Sequence, residues 1–176
     1  MLKTYKILSV LLDYPDERLA ELLPSSMEIV RKENLLYYTL QASLEQFVAA
    51  ASTLSLAEWQ MLYVQQFDCS KTVNLYLFDH IYGDSRQRGQ AMVDMKEMYA
   101  RSGLSMSDGE LPDFLPLFLE YLSTFDSAQE AAGLLLNVRP VLGKIREKLE
   151  KEDSFYHHLF AILEGLADVE YDEKCI

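Results

Sequence analysis

A chain of 176 residues and 20.3 kDa with 49% of its residues hydrophobic can close one core without staples and is too apolar to be disordered as a whole. Its formal net charge of −12 excludes the clustered positive charge that a phosphate backbone demands, so no nucleic-acid partner is expected. Two distant cysteines, Cys69 and Cys175, argue against a disulfide framework, and no stretch reaches the roughly 20 apolar residues of a bilayer span, so a cytoplasmic protein without direct membrane insertion is expected.

The first helix is predicted over about Lys3 to Leu12, where Ile7, Leu8, Leu11 and Leu12 return at three- and four-residue spacings. Asp16 to Leu23 reads as a short second helix stopped by Pro24. A longer helical region, in one or two pieces, follows from Ser26 with Leu35, Leu36, Leu40, Leu44, Phe47 and Val48 on its apolar side. Ser55 and Glu58 have the spacing of a capping box, placing Trp59, Leu62, Tyr63 and Phe67 on the helix it starts. Asp84 or Ser85 is the expected cap of the next long helix, which carries Met92, Met95 and Tyr99 and ends at Gly103.

Pro112 and Pro116 cannot both open the same helix, so it starts near one or the other; Leu117, Phe118, Tyr121 and Leu122 make it a buried one. Further helices are predicted over Ser127 to Val138, Pro140 to Lys151 and Ser154 to Leu166, with Pro140 as a separator. The pattern is all-α: a single-domain bundle of about seven or more helices over 1–168, followed by an acidic flexible tail at 169–176.

The polar residues concentrate between Tyr63 and Tyr121. His80 lies four residues from Asp84, a spacing that would let the carboxylate orient the imidazole on a continuous helix, but Gly83 interrupts the segment and no positioned nucleophile accompanies the pair. A hydrogen-bonding histidine is the preferred reading over a small hydrolase using His80 and Asp84. No Cys-x-x-Cys or His-x-x-x-His spacing supports a metal, and no bound cofactor is expected. Asp84 and Arg88 stand one helical turn apart, which reads first as an exposed ion pair; the functional alternative has Arg86 or Arg88 joining Asp79, Glu110 or Asp113 to lock a loop beside a groove. Phe114, Phe118 and Tyr121 can supply both core and groove floor, and the acidic surface would attract a basic amphipathic peptide.

Three strings carry a resemblance: Phe67-Asp68, the run Leu75-Tyr76-Leu77-Phe78-Asp79-His80-Ile81-Tyr82-Gly83-Asp84-Ser85-Arg86-Gln87-Arg88-Gly89-Gln90-Ala91-Met92, and Glu110-Leu111-Pro112-Asp113-Phe114-Leu115-Pro116-Leu117-Phe118-Leu119-Glu120-Tyr121-Leu122. With Asp13-Tyr14-Pro15 after the first apolar run, the sequence resembles the delta-subunit family of respiratory nitrate reductases, whose members are molybdenum-cofactor assembly chaperones. The resemblance implies an all-helical, non-catalytic cytoplasmic chaperone of the molybdoenzyme-chaperone type. Its client would be the apo catalytic alpha subunit, bound through its N-terminal segment and kept from the membrane until cofactor insertion and iron–sulfur cluster assembly. Transient contact with cofactor-delivery proteins belongs to the same expectation, and a chaperone for another molybdoenzyme with a twin-arginine leader is the nearest alternative. By position the family's characteristic residues match Asp68, His80, Gly83, Asp84, Arg86, Arg88, Gly89, Glu110, Pro112 and Asp113, and all but the two glycines are expected as client-binding or groove-organising groups.

Overall fold

Helix α1 (Lys3–Leu11) has no side chain of its own to cap its first amides, and a distant one does the work. Glu33, the last residue of α2 (Glu17–Glu33), accepts from the Lys3 and Thr4 N–H groups at 2.6 and 2.5 Å, placing a carboxylate at the positive end of the α1 dipole. The computed structural model describes residues 1–70, 72–107 and 109–168; the acidic tail expected at 169–176, with Cys175, lies outside the described residues. Asp16 caps α2 by accepting from Leu19 N–H at 2.8 Å, and Asn34 in the left-handed region (φ 60°) ends it.

The remaining elements are α3 (Tyr38–Ala51), α4 (Leu56–Tyr63), a π-helical turn (Val64–Asp68), α5 (Leu77–Tyr82), α6 (Gln87–Arg101), α7 (Leu115–Ser123), α8 (Ala128–Lys151) and α9 (His157–Ala167). No β-strand occurs among the described residues, only an isolated antiparallel bridge between Tyr76 and Phe114. The expected all-α bundle is therefore what the chain forms.

Two prolines behave differently from the sequence expectation. Helix α2 does not stop at Pro24, and α8 runs unbroken through Pro140 where two helices were predicted. Both rings lie on exposed faces, and the carbonyls that lose their amide partners belong to Ala20, which is half-buried, and Leu136, which is exposed. Water can serve such groups, so each proline costs one hydrogen bond without ending a helix whose inner face is well packed. The Pro112/Pro116 ambiguity resolves toward the second: α7 begins at Leu115 with Pro116 in its first turn, where a missing N–H costs nothing. The helix expected from Ser154 starts later, at His157, and Gly103 (φ 80°) follows α6 as expected.

The core has two joined centres. Helix α7 is buried on nearly every face and packs chiefly on α1, where Ser9 Oγ donates to Pro116 O at 2.7 Å. Helix α9 packs on α8 and α3. Between α3, α4 and the approach to α9 sits an aromatic cluster of Phe47, Trp59, Tyr63, Phe67 and Tyr156. Its buried polar atoms are paired: Trp59 Nε1 donates to Tyr156 Oη at 2.8 Å and Tyr63 Oη to Leu12 O at 3.1 Å. This cluster fixes the π-helical turn, and the turn forms one wall of the site.

Candidate functional site

The extended backbone before α5 and the approach to α7 are far apart in sequence, yet they pair. Leu77 N–H donates to Asp113 O at 2.9 Å and Leu115 N–H to Leu75 O at 2.8 Å, on either side of the Tyr76–Phe114 bridge, whose rings lie 5.5 Å apart. The bridge brings the run around His80 against the Glu110–Pro116 string.

Asp113 anchors this junction. Its side chain has no exposed surface, and Oδ2 accepts from Phe78 N–H at 3.0 Å, capping α5 from a different part of the chain. Desolvation pushes its carboxyl above the usual range, opposed by the Phe78 N–H and by the Arg88 guanidinium. Arg88, on α6, lies 2.5 Å from Asp79 and 4.0 Å from Asp113, so one cation ties α5, α6 and the approach to α7 together. His80 Nε2 is 2.9 Å from Asn74 O, and Tyr99 Oη donates to Pro112 O at 2.8 Å. Both bonds hold loop backbone in place.

Beside this junction opens a cleft of about 800 Å³ between the π-helical turn and the α5–α6 corner. Phe67 and Tyr76 give it an aromatic wall; Asp68, Asp79 and Asp84 give it negative charge, and Asp68 and Asp84 have no ion-pair partner among the described residues. The turn at Gly83 has φ 52° and ψ −130°, a conformation that a side chain would strain, and it ends α5 so that Asp84 reaches the cleft. The π-helical turn inserts one extra residue, closed by Cys69 N–H to Val64 O at 3.0 Å; Phe67 stays buried against Tyr156 while Asp68 is exposed. A second recess of about 150 Å³ adjoins the cleft and shares Phe67, Asp68 and Tyr76 with it.

Residues 33–161, most of the chain, match the family model described as nitrate reductase delta subunit. The chain belongs to the nitrate reductase delta subunit family. The nitrate reductase molybdenum cofactor assembly chaperone NarJ of Escherichia coli (strain K12) is 35% identical over 166 residues, 94% of this chain and 70% of that protein. NarW of the same strain, 36% identical over 92% of this chain and 67% of its own length, and NarJ of Bacillus subtilis (strain 168), 32% identical over 93% and 89%, are named for the same role. The chain thus spans about two thirds of the length of the Escherichia coli relatives and most of the Bacillus one. A protein of Archaeoglobus fulgidus described as a redox enzyme maturation protein shares the fold, with a TM-score of 0.64 at 20% identity over 94% of this chain and 92% of that one.

Within this delta-subunit domain, the residues singled out from sequence do not all lie together. Asp68, Asp84 and Arg88 line the cleft, while Asp113 and Pro112 stand behind it and His80 buttresses its floor. Phe114 lines the small recess. Phe118 and Tyr121 face the core instead, at 4% and 7% exposure, because α7 is surrounded by α1 and α8. Glu110 lies at a separate depression beside Lys96 and Met106. Arg86 is exposed and makes no ion pair among the described residues; Arg88 makes the bonds considered for either, and it pairs with Asp79 and Asp113 in place of the simple Asp84 pair.

The His80–Asp84 pairing required for a hydrolase does not form, since α5 ends at Tyr82 and His80 turns to Asn74. Among the described residues, no group of three or more His, Cys, Asp or Glu is placed to hold a metal, and no helix is long and apolar enough to cross a membrane. Sequence reasoning passed over Tyr14, Phe67 and Tyr76 as site residues, and weighed Asp79 only as a partner for Arg86 or Arg88, which is the pairing Arg88 makes. Their signal was position: each falls inside a string that carries the resemblance, Tyr14 in Asp13-Tyr14-Pro15 and Tyr76 and Asp79 in the central run.

Proposed function

We propose that this protein is an assembly chaperone of nitrate reductase that binds the N-terminal segment of the apo catalytic alpha subunit in the cytoplasm, before molybdenum cofactor insertion and membrane attachment. The observation that carries the reading is the cleft in which two aspartates without an ion-pair partner among the described residues, Asp68 and Asp84, face the aromatic wall of Phe67 and Tyr76. A basic amphipathic segment suits such a surface: its apolar face leaves water while its cations meet fixed negative charge. The role printed for the relatives in Escherichia coli and Bacillus subtilis supports the same assignment. The chain acts by binding and not by catalysis.

Holding the segment keeps the precursor from docking at the membrane and leaves its cofactor site open to delivery proteins and to iron–sulfur cluster assembly. Release requires that the loaded client bind less well than the apo client, because a chaperone shifts an equilibrium only by its differential affinity for the two states. The test is capture of the alpha subunit by the tagged full-length chain from cells making nitrate reductase, with and without cofactor synthesis. Recovery of the alpha subunit, greater when the cofactor is missing, is expected. A well-folded chain that retains no alpha subunit in either culture removes the assignment, and recovery of a different molybdoenzyme bearing a twin-arginine leader replaces it with the neighbouring one.

A further inference from the structure

The two cavities that meet at Phe67, Asp68 and Tyr76 differ in chemistry. The smaller, about 150 Å³, is walled by Asp13, Tyr14, Tyr63, Leu75 and Phe114 as well as the shared residues, a volume in which about one benzene-sized ring fits. The larger is mostly polar in outline and carries Asp79 and Asp84. Tyr76 stands on the seam. Its ring lies 5.5 Å from Phe114, and its hydroxyl feels Asp113, Asp68 and Asp79, which add to desolvation in pushing the phenol up and keep it a neutral donor.

Resting on the function proposed above, we infer that the cleft reads two neighbouring side chains of one client helix together: an aromatic or branched aliphatic anchor enters the recess under Tyr14, and a lysine or arginine lies over Asp68 and Asp84. Tyr14 is the element of this reading that comes from outside the central strings. It sits in the turn between α1 and α2, is 46% exposed, and touches Tyr63 edge-on at a centroid distance of 5.6 Å. A half-exposed tyrosine with two rotatable bonds can close over a ligand at low entropic cost. Other ligand chemistries fit less well. An anion would face Asp68, Asp79 and Asp84 in the cleft and Asp13 in the recess against Arg88, the one arginine among the described lining residues, already engaged by two carboxylates, and a lone metal ion or small polyamine would leave the aromatic walls of the recess unused. Only a partner that is apolar and cationic on one face satisfies both compartments.

The experiment is isothermal titration of the full chain with a synthetic peptide carrying the N-terminal segment of the nitrate reductase alpha subunit, at low and at high salt, with thermal melts of every variant. Tyr14→Ala is expected to weaken binding about tenfold at both salt concentrations, and Tyr14→Phe to restore it. The double variant Asp68→Asn, Asp84→Asn is expected to weaken binding about tenfold at low salt and to lose most of the salt dependence. Replacing the peptide's apolar residues one at a time by alanine should reveal one position that costs affinity in the wild-type chain and nothing further in Tyr14→Ala. That pairing also decides the matter should Tyr14→Ala melt early, because the peptide-side change can be read in the wild-type chain and in Tyr14→Phe. Full affinity in Tyr14→Ala, or an undiminished salt dependence in the asparagine pair, overturns the two-compartment reading while leaving the client assignment standing. Failure of the wild-type chain to bind the peptide overturns both.

Discussion

Asp113 caps α5 and partners Arg88, yet it has been taken out of water to do so, and these demands pull its protonation in opposite directions. Desolvation is the larger influence, so its folded-state pKa stands above the ordinary value of 3.8. A carboxyl raised in this way favours the folded state fully below the unfolded pKa, and the contribution is lost as pH rises through the folded one. Asp113→Asn keeps an oxygen for Phe78 N–H and does not titrate. Chemical denaturation from about pH 4 to pH 7 should therefore show the stability of Asp113→Asn relative to wild type improving as pH rises. Asp113→Ala removes the cap at every pH and is expected to cost about 2 kcal/mol, a fall in Tm of roughly 5 °C. The two arginines of the same region should separate cleanly in the same melts. Arg88→Ala leaves the buried Asp113 without its cation and should cost about 1–2 kcal/mol, whereas Arg86→Ala, exposed and without an ion pair among the described residues, should stay within about 0.5 kcal/mol.

Some elements here owe their ends to residues elsewhere in the chain, others to their own. Helix α1 is capped by Glu33 and α5 by Asp113, whereas α4 has the complete capping box read from Ser55 and Glu58. Long helices survive internal prolines because the packed inner face outweighs one missing bond on the solvent side. In α8 the apolar residues Leu135, Val138, Val141, Leu142, Ile145 and Leu149 are buried on both sides of Pro140. Pro140→Ala should restore the amide that Leu136 O lacks and raise stability by about 1 kcal/mol in urea denaturation, less than the full penalty of an internal proline because proline also restricts the unfolded chain. A loss of stability would mean that the proline ring itself helps to seat α8 on α9.

At the scale of the whole molecule, the net charge of −12 and the cleft act in the same direction. On the proposed function, the general field would raise the local concentration of a basic segment, and the cleft would convert encounter into a specific contact. A peptide that binds the folded chain alone, as the proposed function requires, should also stabilise it: at a hundredfold excess over Kd the gain is about 2.7 kcal/mol, a rise in Tm of several degrees. Differential scanning fluorimetry with and without the alpha-subunit peptide checks this, and an unchanged Tm at saturating peptide would show that binding does not discriminate folded from unfolded chain.

Helical periodicity, the capping box at Ser55 and the strings around His80 and Asp113 were enough to establish an all-α bundle and the family, because these signals are local: each depends on residues within a few positions of one another. Boundaries at Pro24 and Pro140 were not legible, since whether a proline ends a helix depends on which face meets solvent. The site divides in the same way. Asp68, Asp84 and Arg88 could be singled out from the sequence, but the choice of Arg88 over Arg86 required the Tyr76–Phe114 bridge, which sets Asp113 within reach of α6. Phe118 and Tyr121 have the composition of a groove floor and lie in the core because α7 is packed into the bundle, with the Tyr121 ring 5.0 Å from that of Tyr99 on α6. Tyr14 joins the recess only when α1 folds back on α7 and the turn after it meets the π-helical segment. Chain-local chemistry determined what kind of protein this is; long-range packing decided which of its charged and aromatic side chains line the cleft.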